Sequence, residues 1–110
     1  MEIEFNGKKI ETDHAGYLLH YLDWSEDVAV LIAQQEGLTL THPHWEVIGF
    51  LRDYYEEFKI APAIRVLIKA IGKKLGADKG DSIYLYKLFP NGPAVQACKI
   101  AGLPKPTGCV

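Results

Sequence analysis

The chain has 110 residues, of which 48% are hydrophobic, 12 are basic and 14 are acidic. This length suits one compact domain with a substantial core and is too short for two, and the formal net charge of −2 gives no overall attraction to nucleic acid or anionic membranes. Because no signal sequence begins the chain and no stretch approaches the roughly 20 apolar residues of a membrane span, we predict a cytoplasmic protein.

The first predicted element is a β-hairpin. Residues 2–12 form two short alternating runs around Asn6-Gly7, which is typical of a type I′ turn. Ser25 then precedes two acidic residues and an apolar stripe that stops before Gly37. This pattern predicts the first helix.

Two longer helices follow in the prediction. Thr41 suits the N-cap of the second helix, in which apolar residues recur every three or four positions from Trp45 to Phe58. Pro62 introduces the third helix, which Gly76 ends. His42 and His44 lie in the first turn of the second helix without further converging ligands, so we assign them surface or capping roles and predict no metal site.

Two shorter helices complete the predicted fold. Gly80 or Asp81 opens the fourth, and Gly92-Pro93 precedes a fifth that runs to about Ala101. The fold class predicted from these elements is mainly α: a small orthogonal helical bundle with an N-terminal β-hairpin.

The character of the sequence changes after Gly102. Residues 103–110 hold two prolines and a glycine with no apolar periodicity, so we predict a helical domain over 1–102 and a mobile C-terminal arm over 103–110. The arm residues expected to contribute to its shape or docking are Pro104, Lys105, Pro106 and Gly108.

The two cysteines differ in their surroundings. Cys109 lies in the predicted arm, where an exposed thiol is a liability unless its reactivity is used. Cys98 shares a helix face with small apolar residues and, taken alone, suits an ordinary core position. The arm could carry Cys109 about 26 Å from the helix end or fold it back toward Cys98. We therefore predict that Cys109 accepts sulfur as a persulfide and that Cys98 is its resolving thiol.

A resemblance to a known family supports this prediction. It rests on Leu-Phe-Pro-Asn-Gly-Pro-Ala-Val-Gln-Ala-Cys at 88–98, the ending Lys-Ile-Ala-Gly-Leu-Pro-Lys-Pro-Thr-Gly-Cys-Val at 99–110, His-Trp-Glu-Val-Ile at 44–48, Leu-Arg-Asp-Tyr-Tyr-Glu-Glu-Phe at 51–58, Ala-Pro-Ala-Ile-Arg at 61–65 and Gly-Lys-Lys-Leu-Gly at 72–76. These segments resemble the DsrC/TusE family of sulfur-relay proteins over nearly the whole chain. The resemblance implies a helical fold with an N-terminal hairpin and a mobile arm.

The resemblance also implies roles for both thiols. Cys109 matches the penultimate, sulfur-carrying cysteine, and Cys98 matches a second cysteine of members that serve dissimilatory sulfite reductase, in which the pair is implied to bridge a trisulfide. TusE-type members, which relay persulfide sulfur from TusBCD toward tRNA 2-thiouridine synthesis, generally lack the first cysteine. Cys98 therefore favours the DsrC branch, and the TusE-type relay is the alternative.

The family implies partners for a carrier of this kind. They are dissimilatory sulfite reductase, sulfur-transfer proteins like TusBCD or DsrEFH, and a membrane-complex reductase. We expect a monomer without a cofactor that acts as a co-substrate and turns over little on its own.

The third helix has a basic face, formed by Arg65, Lys69 and Lys73 at four-residue steps with Lys74 beside them. This face is either simply solvated or a docking surface for an acidic partner or anionic substrate. Arg65 is the expected neighbour of the folded arm. A winged-helix-like DNA-binding regulator would use the same face, although the acidic overall charge argues against that alternative. A regulatory subunit held tightly by an enzyme is a third alternative.

Overall fold

The computed structural model describes residues 2–106, which form a two-stranded sheet and five α-helices. The elements are β1 (Glu2–Phe5), β2 (Lys8–Glu11), α1 (Glu26–Gln35), α2 (His42–Phe58), α3 (Ile64–Leu75), α4 (Ser82–Leu88) and α5 (Pro93–Ile100), with one 3₁₀ turn at Tyr21–Asp23. The predicted mainly α fold with an N-terminal hairpin is confirmed. Within residues 2–106, no helix combines the length and the apolar character that a membrane crossing requires.

The N-terminal hairpin has the predicted tight turn. Strands β1 and β2 are antiparallel and pair Phe5 with Lys8, and the two residues between them, Asn6 and Gly7, have φ angles of 52° and 75°. Positive φ at both central positions is the requirement of a type I′ turn. Alternation along the strands then places the apolar side chains on one face, against the helices.

The helix ends follow local side-chain chemistry at most positions. Ser25 caps α1 by accepting a 3.2 Å hydrogen bond from the N–H of Val28, and Asp81, rather than Gly80, caps α4. Helix α3 begins later than predicted: Ala63 is its N-cap and Pro62 lies before it, buried. A proline favours the first turn of a helix but also fits the extended chain before it, so it marks the boundary only to within a few residues.

Helix α5 is the centre of the bundle, because it packs against each of the other four helices. Six of its eight residues are buried, and three of them are small: Ala94, Ala97 and Cys98. Small side chains let the surrounding helices approach this short helix closely. The predicted arm follows directly after this central helix.

The first residues of the predicted arm contact the domain. Leu103 is fully buried and Pro106 is buried, whereas Pro104 and Lys105 are exposed. The sequence in this stretch correctly indicates irregular backbone, but absence of periodicity does not reveal whether single side chains find a place in the core. Residues 107–110, with Gly108 and Cys109, lie outside the described residues.

Candidate functional site

Cys98 is a fully buried free thiol in α5, with an exposed fraction of 0%. Burial disfavours the charged thiolate and raises the pKa of Cys98 from 9.0 to about 12. At neutral pH the thiolate of Cys98 is therefore much scarcer than that of an unburied cysteine. Because the thiolate is the nucleophile, Cys98 in this conformation is a weak attacking group.

The phenol of Tyr17 is electrostatically coupled to this thiol. Its hydroxyl donates a 3.3 Å hydrogen bond to the carbonyl oxygen of Val95, one α5 turn before Cys98. Burial raises the pKa of Tyr17 to about 12, and repulsion from the thiolate form of Cys98 contributes to the same shift. Both groups are therefore neutral at physiological pH, and Tyr17 cannot serve as a base that activates the thiol.

The end of α5 is a Schellman motif. Gly102 has a φ of +77°, its N–H donates to the carbonyl oxygen of Lys99 at 3.2 Å, and the N–H of Leu103 donates to that of Cys98 at 3.0 Å. Glycine is the residue that adopts this left-handed conformation without strain. The arm thus begins at a residue that is hydrogen-bonded to the backbone of Cys98.

Two side chains from distant segments complete the same helix end. The indole Nε1–H of Trp24 donates to the carbonyl oxygen of Ile100 at 2.8 Å, and Nη1 of Arg52 donates to that of Ala101 at 2.7 Å. The last carbonyls of a helix have no partner within the helix and carry partial negative charge. A cation and an indole donor therefore stabilise the point where the arm departs.

These two residues were missed by reasoning from the sequence. Trp24 lies outside any amphipathic pattern, just before the α1 cap, and Arg52 is the only lysine or arginine of α2. Neither residue indicates by itself that its acceptor lies at the end of α5, which is 49 residues from Arg52 and 76 residues from Trp24.

The predicted basic residues lie on the surface. Arg65, Lys69, Lys73 and Lys74 are all exposed on α3, and none forms a salt bridge with another residue of the range 2–106. Arg65 makes no hydrogen bond to residues 103–106, so its predicted place beside the arm stays a prediction. The face is available to solvent or to a partner.

His44 has the capping role, although it is buried rather than on the surface. Its Nδ1 accepts from the backbone N–H of Thr41 at 3.0 Å, and Nε2 lies 2.8 Å from the carbonyl oxygen of Leu88. The tautomer that satisfies both contacts carries its proton on Nε2. Across the described part of the chain, no group of three or more His, Cys, Asp or Glu side chains is arranged to hold a metal ion.

Comparison with known proteins places this architecture in a family. A family model described as "DsrC like protein" matches residues 4–110. The sulfurtransferase TusE of Photorhabdus laumondii is 60% identical over 106 residues, which cover 96% of each chain. The sulfurtransferase TusE of Escherichia coli is 58% identical over 106 residues, which cover 96% of this chain and 97% of that protein.

Solved structures agree with the sequence relatives. DsrC of Allochromatium vinosum superposes with a TM-score of 0.91 at 60% identity, and the oxidized gamma-subunit of dissimilatory sulfite reductase, DsrC, of Archaeoglobus fulgidus with a TM-score of 0.85 at 43% identity; both alignments cover 100% of each chain. The chain belongs to the DsrC-like family of sulfur carriers. The full-length relatives named TusE support the relay alternative better than the DsrC branch that Cys98 favours in the sequence.

Proposed function

We propose that this protein is a TusE-type sulfur relay carrier in which Cys109 is the single working thiol. The observation that carries the proposal is the burial of Cys98, which is 0% exposed and has its pKa raised to about 12. Such a thiol suits the core better than nucleophilic attack. The 58–60% identity to proteins named sulfurtransferase TusE supports the same assignment.

The proposed relay needs only one cysteine. The Cys109 thiol loses its proton to solvent, and the thiolate attacks the outer sulfur of a persulfide on a donor protein. The donor S–S bond breaks, the donor cysteine leaves as a thiolate, and Cys109 holds the sulfur as a persulfide. An acceptor thiolate then attacks that outer sulfur and releases Cys109, so the relay has no net oxidation or reduction.

The buried start of the arm limits where Cys109 can act. Leu103 is held in the core, and the six residues from there to Cys109 span at most about 20 Å. We propose that a cytoplasmic donor of the TusBCD type must bring its own thiol within that radius, and that the acceptor serves tRNA 2-thiouridine synthesis. The exposed basic face of α3 is the proposed contact for an acidic partner.

Intact-mass measurement after incubation with a small-molecule persulfide tests the proposal. Wild type and Cys98→Ala should each gain one sulfur atom and release it to an acceptor thiol, whereas Cys109→Ser should gain none. Alanine is the control at position 98 because it removes the thiol without burying a new polar group. Sulfur retained by Cys109→Ser, or relay lost in a folded Cys98→Ala variant, would contradict the single-thiol assignment.

A second candidate is the two-thiol chemistry of the DsrC branch, with dissimilatory sulfite reductase as partner. The hydrogen bond from Leu103 to Cys98 favours it, because this contact anchors the arm beside the second cysteine. The Cys98 thiolate would attack the inner sulfur of the Cys109 persulfide, expel hydrosulfide and leave a disulfide that an external dithiol must reduce. The resemblance implies a trisulfide when a further sulfur bridges the pair.

The two candidates differ in a product that can be measured. After persulfide loading, peptide mapping without reduction should find no Cys98–Cys109 link under native conditions if the relay is correct. A native cross-link that forms with release of one hydrosulfide per chain would favour the two-thiol route. A cross-link that appears only in denaturant would reflect exposure of Cys98 by unfolding.

A further inference from the structure

The last carbonyl oxygens of α5 all accept hydrogen bonds. The carbonyl oxygen of Ala97 accepts from the N–H of Ala101, that of Cys98 from Leu103, and that of Lys99 from Gly102. The two later carbonyls, of Ile100 and Ala101, accept from side chains of Trp24 and Arg52. A helix end this well satisfied has little tendency to fray.

Trp24 also restricts the residue at which the chain turns. Its ring lies so close to Gly102 that a Cβ at that position would collide with the indole. Gly102 therefore serves two purposes, since it provides the positive φ of the turn and leaves room for the ring. The indole ring therefore packs directly against the turn from which the arm begins.

Arg52 is held in place by an aromatic layer. Its guanidinium carbon lies 3.9 Å from the ring centroid of Trp24 and 4.3 Å from that of Tyr21. The Tyr21 hydroxyl donates a 2.8 Å hydrogen bond to Glu56, which fixes the orientation of this ring. A planar guanidinium stacks between rings and still directs an N–H along its own plane, which an ammonium cannot do.

We propose that Trp24 and Arg52 are positioning residues for sulfur transfer: they fix the direction in which the arm leaves α5 and so determine where Cys109 meets a partner's thiol. This inference rests on the proposed carrier role of Cys109. Neither side chain is assigned contact with sulfur. Their effect is geometric, because an angular change at Gly102 is carried along a tether of up to about 20 Å.

A change in the direction of the arm should affect sulfur transfer from protein donors but not loading by small molecules. A small persulfide diffuses to Cys109 wherever the arm points, whereas a protein donor must align its thiol with the arm while its surface docks on the domain. Misplacement of a reacting group by about 1 Å can cost up to a hundredfold in rate. Loss of the two donors should therefore impair transfer between proteins and leave loading by small molecules unchanged.

The test uses Arg52→Met, which keeps the aliphatic stem but removes the donor, and Trp24→Phe, which keeps a ring but removes the N–H. Arg52→Lys retains the charge and one donor and should rescue part of the effect, while Lys9→Met on the exposed hairpin is the control. With a persulfide-charged TusBCD-type donor protein, we expect the apparent KM for the carrier to be about tenfold higher for Arg52→Met than for wild type. Loading by a small-molecule persulfide should equal that of wild type.

A structural readout separates positioning from simple destabilisation. In a Cys98→Ala background, nitroxide labels at Cys109 and at an introduced Glu57→Cys report the distance distribution from the arm to α2 by pulsed electron resonance. The distribution should shift or broaden in Arg52→Met at temperatures where circular dichroism shows the variant folded. If Arg52→Met does not fold, Arg52→Lys and Trp24→Phe are measured for the same changes.

The outcomes distinguish this inference from the function on which it rests. An unchanged distance distribution and KM in the folded variants would overturn the positioning role, and so would an equal loss of loading by small and protein donors. Sulfur loading of a folded Cys109→Ser variant would instead overturn the carrier role itself. Selective loss with the protein donor, partly restored by Arg52→Lys, is the expected result.

Discussion

The backbone N–H of Leu103 donates a 3.0 Å hydrogen bond to the carbonyl oxygen of Cys98. This contact joins the start of the arm to the residue that carries the buried thiol, and the Leu103 side chain is itself fully buried. The packed domain therefore extends past the end of α5. Because Leu103 and Pro106 are both buried, the distance over which Cys109 can range is shorter than the full length of the chain after α5.

Leu103→Ala should destabilise the protein by about 2–4 kcal/mol, because it removes a fully buried side chain and leaves a cavity. Lys105→Ala, two residues further on and exposed, should change the stability by less than about 0.5 kcal/mol. Urea unfolding followed by circular dichroism measures both free energies of unfolding. Equal effects of the two substitutions would show that Leu103 does not contribute to the core in solution.

Alkaline pH should destabilise the fold through Cys98. Burial raises the pKa of the folded state from 9.0 to about 12, so the unfolded chain loses this proton first as the pH rises. The contribution of the protonated Cys98 thiol to the free energy of unfolding is fully present below about pH 9 and is lost as the pH approaches about 12. Over this range the free energy of unfolding should fall by at most about 1.4 kcal/mol per pH unit, since one proton is involved.

The matched variant for this prediction is Cys98→Ala, measured by urea unfolding at several pH values across that window. Its stability should fall less steeply than that of wild type, although Tyr17, whose pKa burial also raises to about 12, keeps part of the dependence. The same slope in both proteins would mean that the Cys98 thiol is not buried in solution.

His44→Ala should cost about 1–3 kcal/mol, since it removes contacts to Thr41 and leaves the carbonyl oxygen of Leu88 without its partner in the interior. His42→Ala is the control one half-turn away, because the His42 side chain is 87% exposed. Thermal unfolding should show a lower midpoint for the first variant and little change for the second. A midpoint that is unaffected by His44→Ala would show that the contact of His44 with the carbonyl oxygen of Leu88 does not stabilise the packing of α2 on α4.

Charge reversal on the basic face of α3 tests whether it docks a partner. The double variant Lys69→Glu, Lys73→Glu should slow association with an acidic, persulfide-charged donor protein and weaken the dependence of that rate on ionic strength. Both side chains are exposed, so the double variant should remain folded, with a loss of about 1 kcal/mol because Lys73 lies in the last turn of α3, where a positive charge is favoured. Lys9→Glu is the control, and the same association rate for both variants would identify the α3 face as merely solvated.

Turns and helix ends could be predicted from the sequence where the structure of a short segment depends only on residues within that segment. Asn6-Gly7 encodes the hairpin turn, Ser25 the start of α1 and Gly76 the end of α3, because each acts through backbone conformation or a hydrogen bond within three residues. The family motifs added the sulfur chemistry. The start of the helix near Pro62 and the burial of His44 were harder to predict, since the same residues are compatible with several local structures.

The sequence by itself determined a mainly α fold with an N-terminal hairpin, membership of a sulfur-carrier family and the thiol, Cys109, on which the chemistry is proposed to depend. Only the tertiary structure decided that Cys98 is buried and protonated, that the arm is anchored at Leu103, and that Trp24 and Arg52 meet at its base. These features depend on contacts between segments up to 76 residues apart. Burial and pKa are properties of all the atoms around a group, and periodicity along one segment does not specify them.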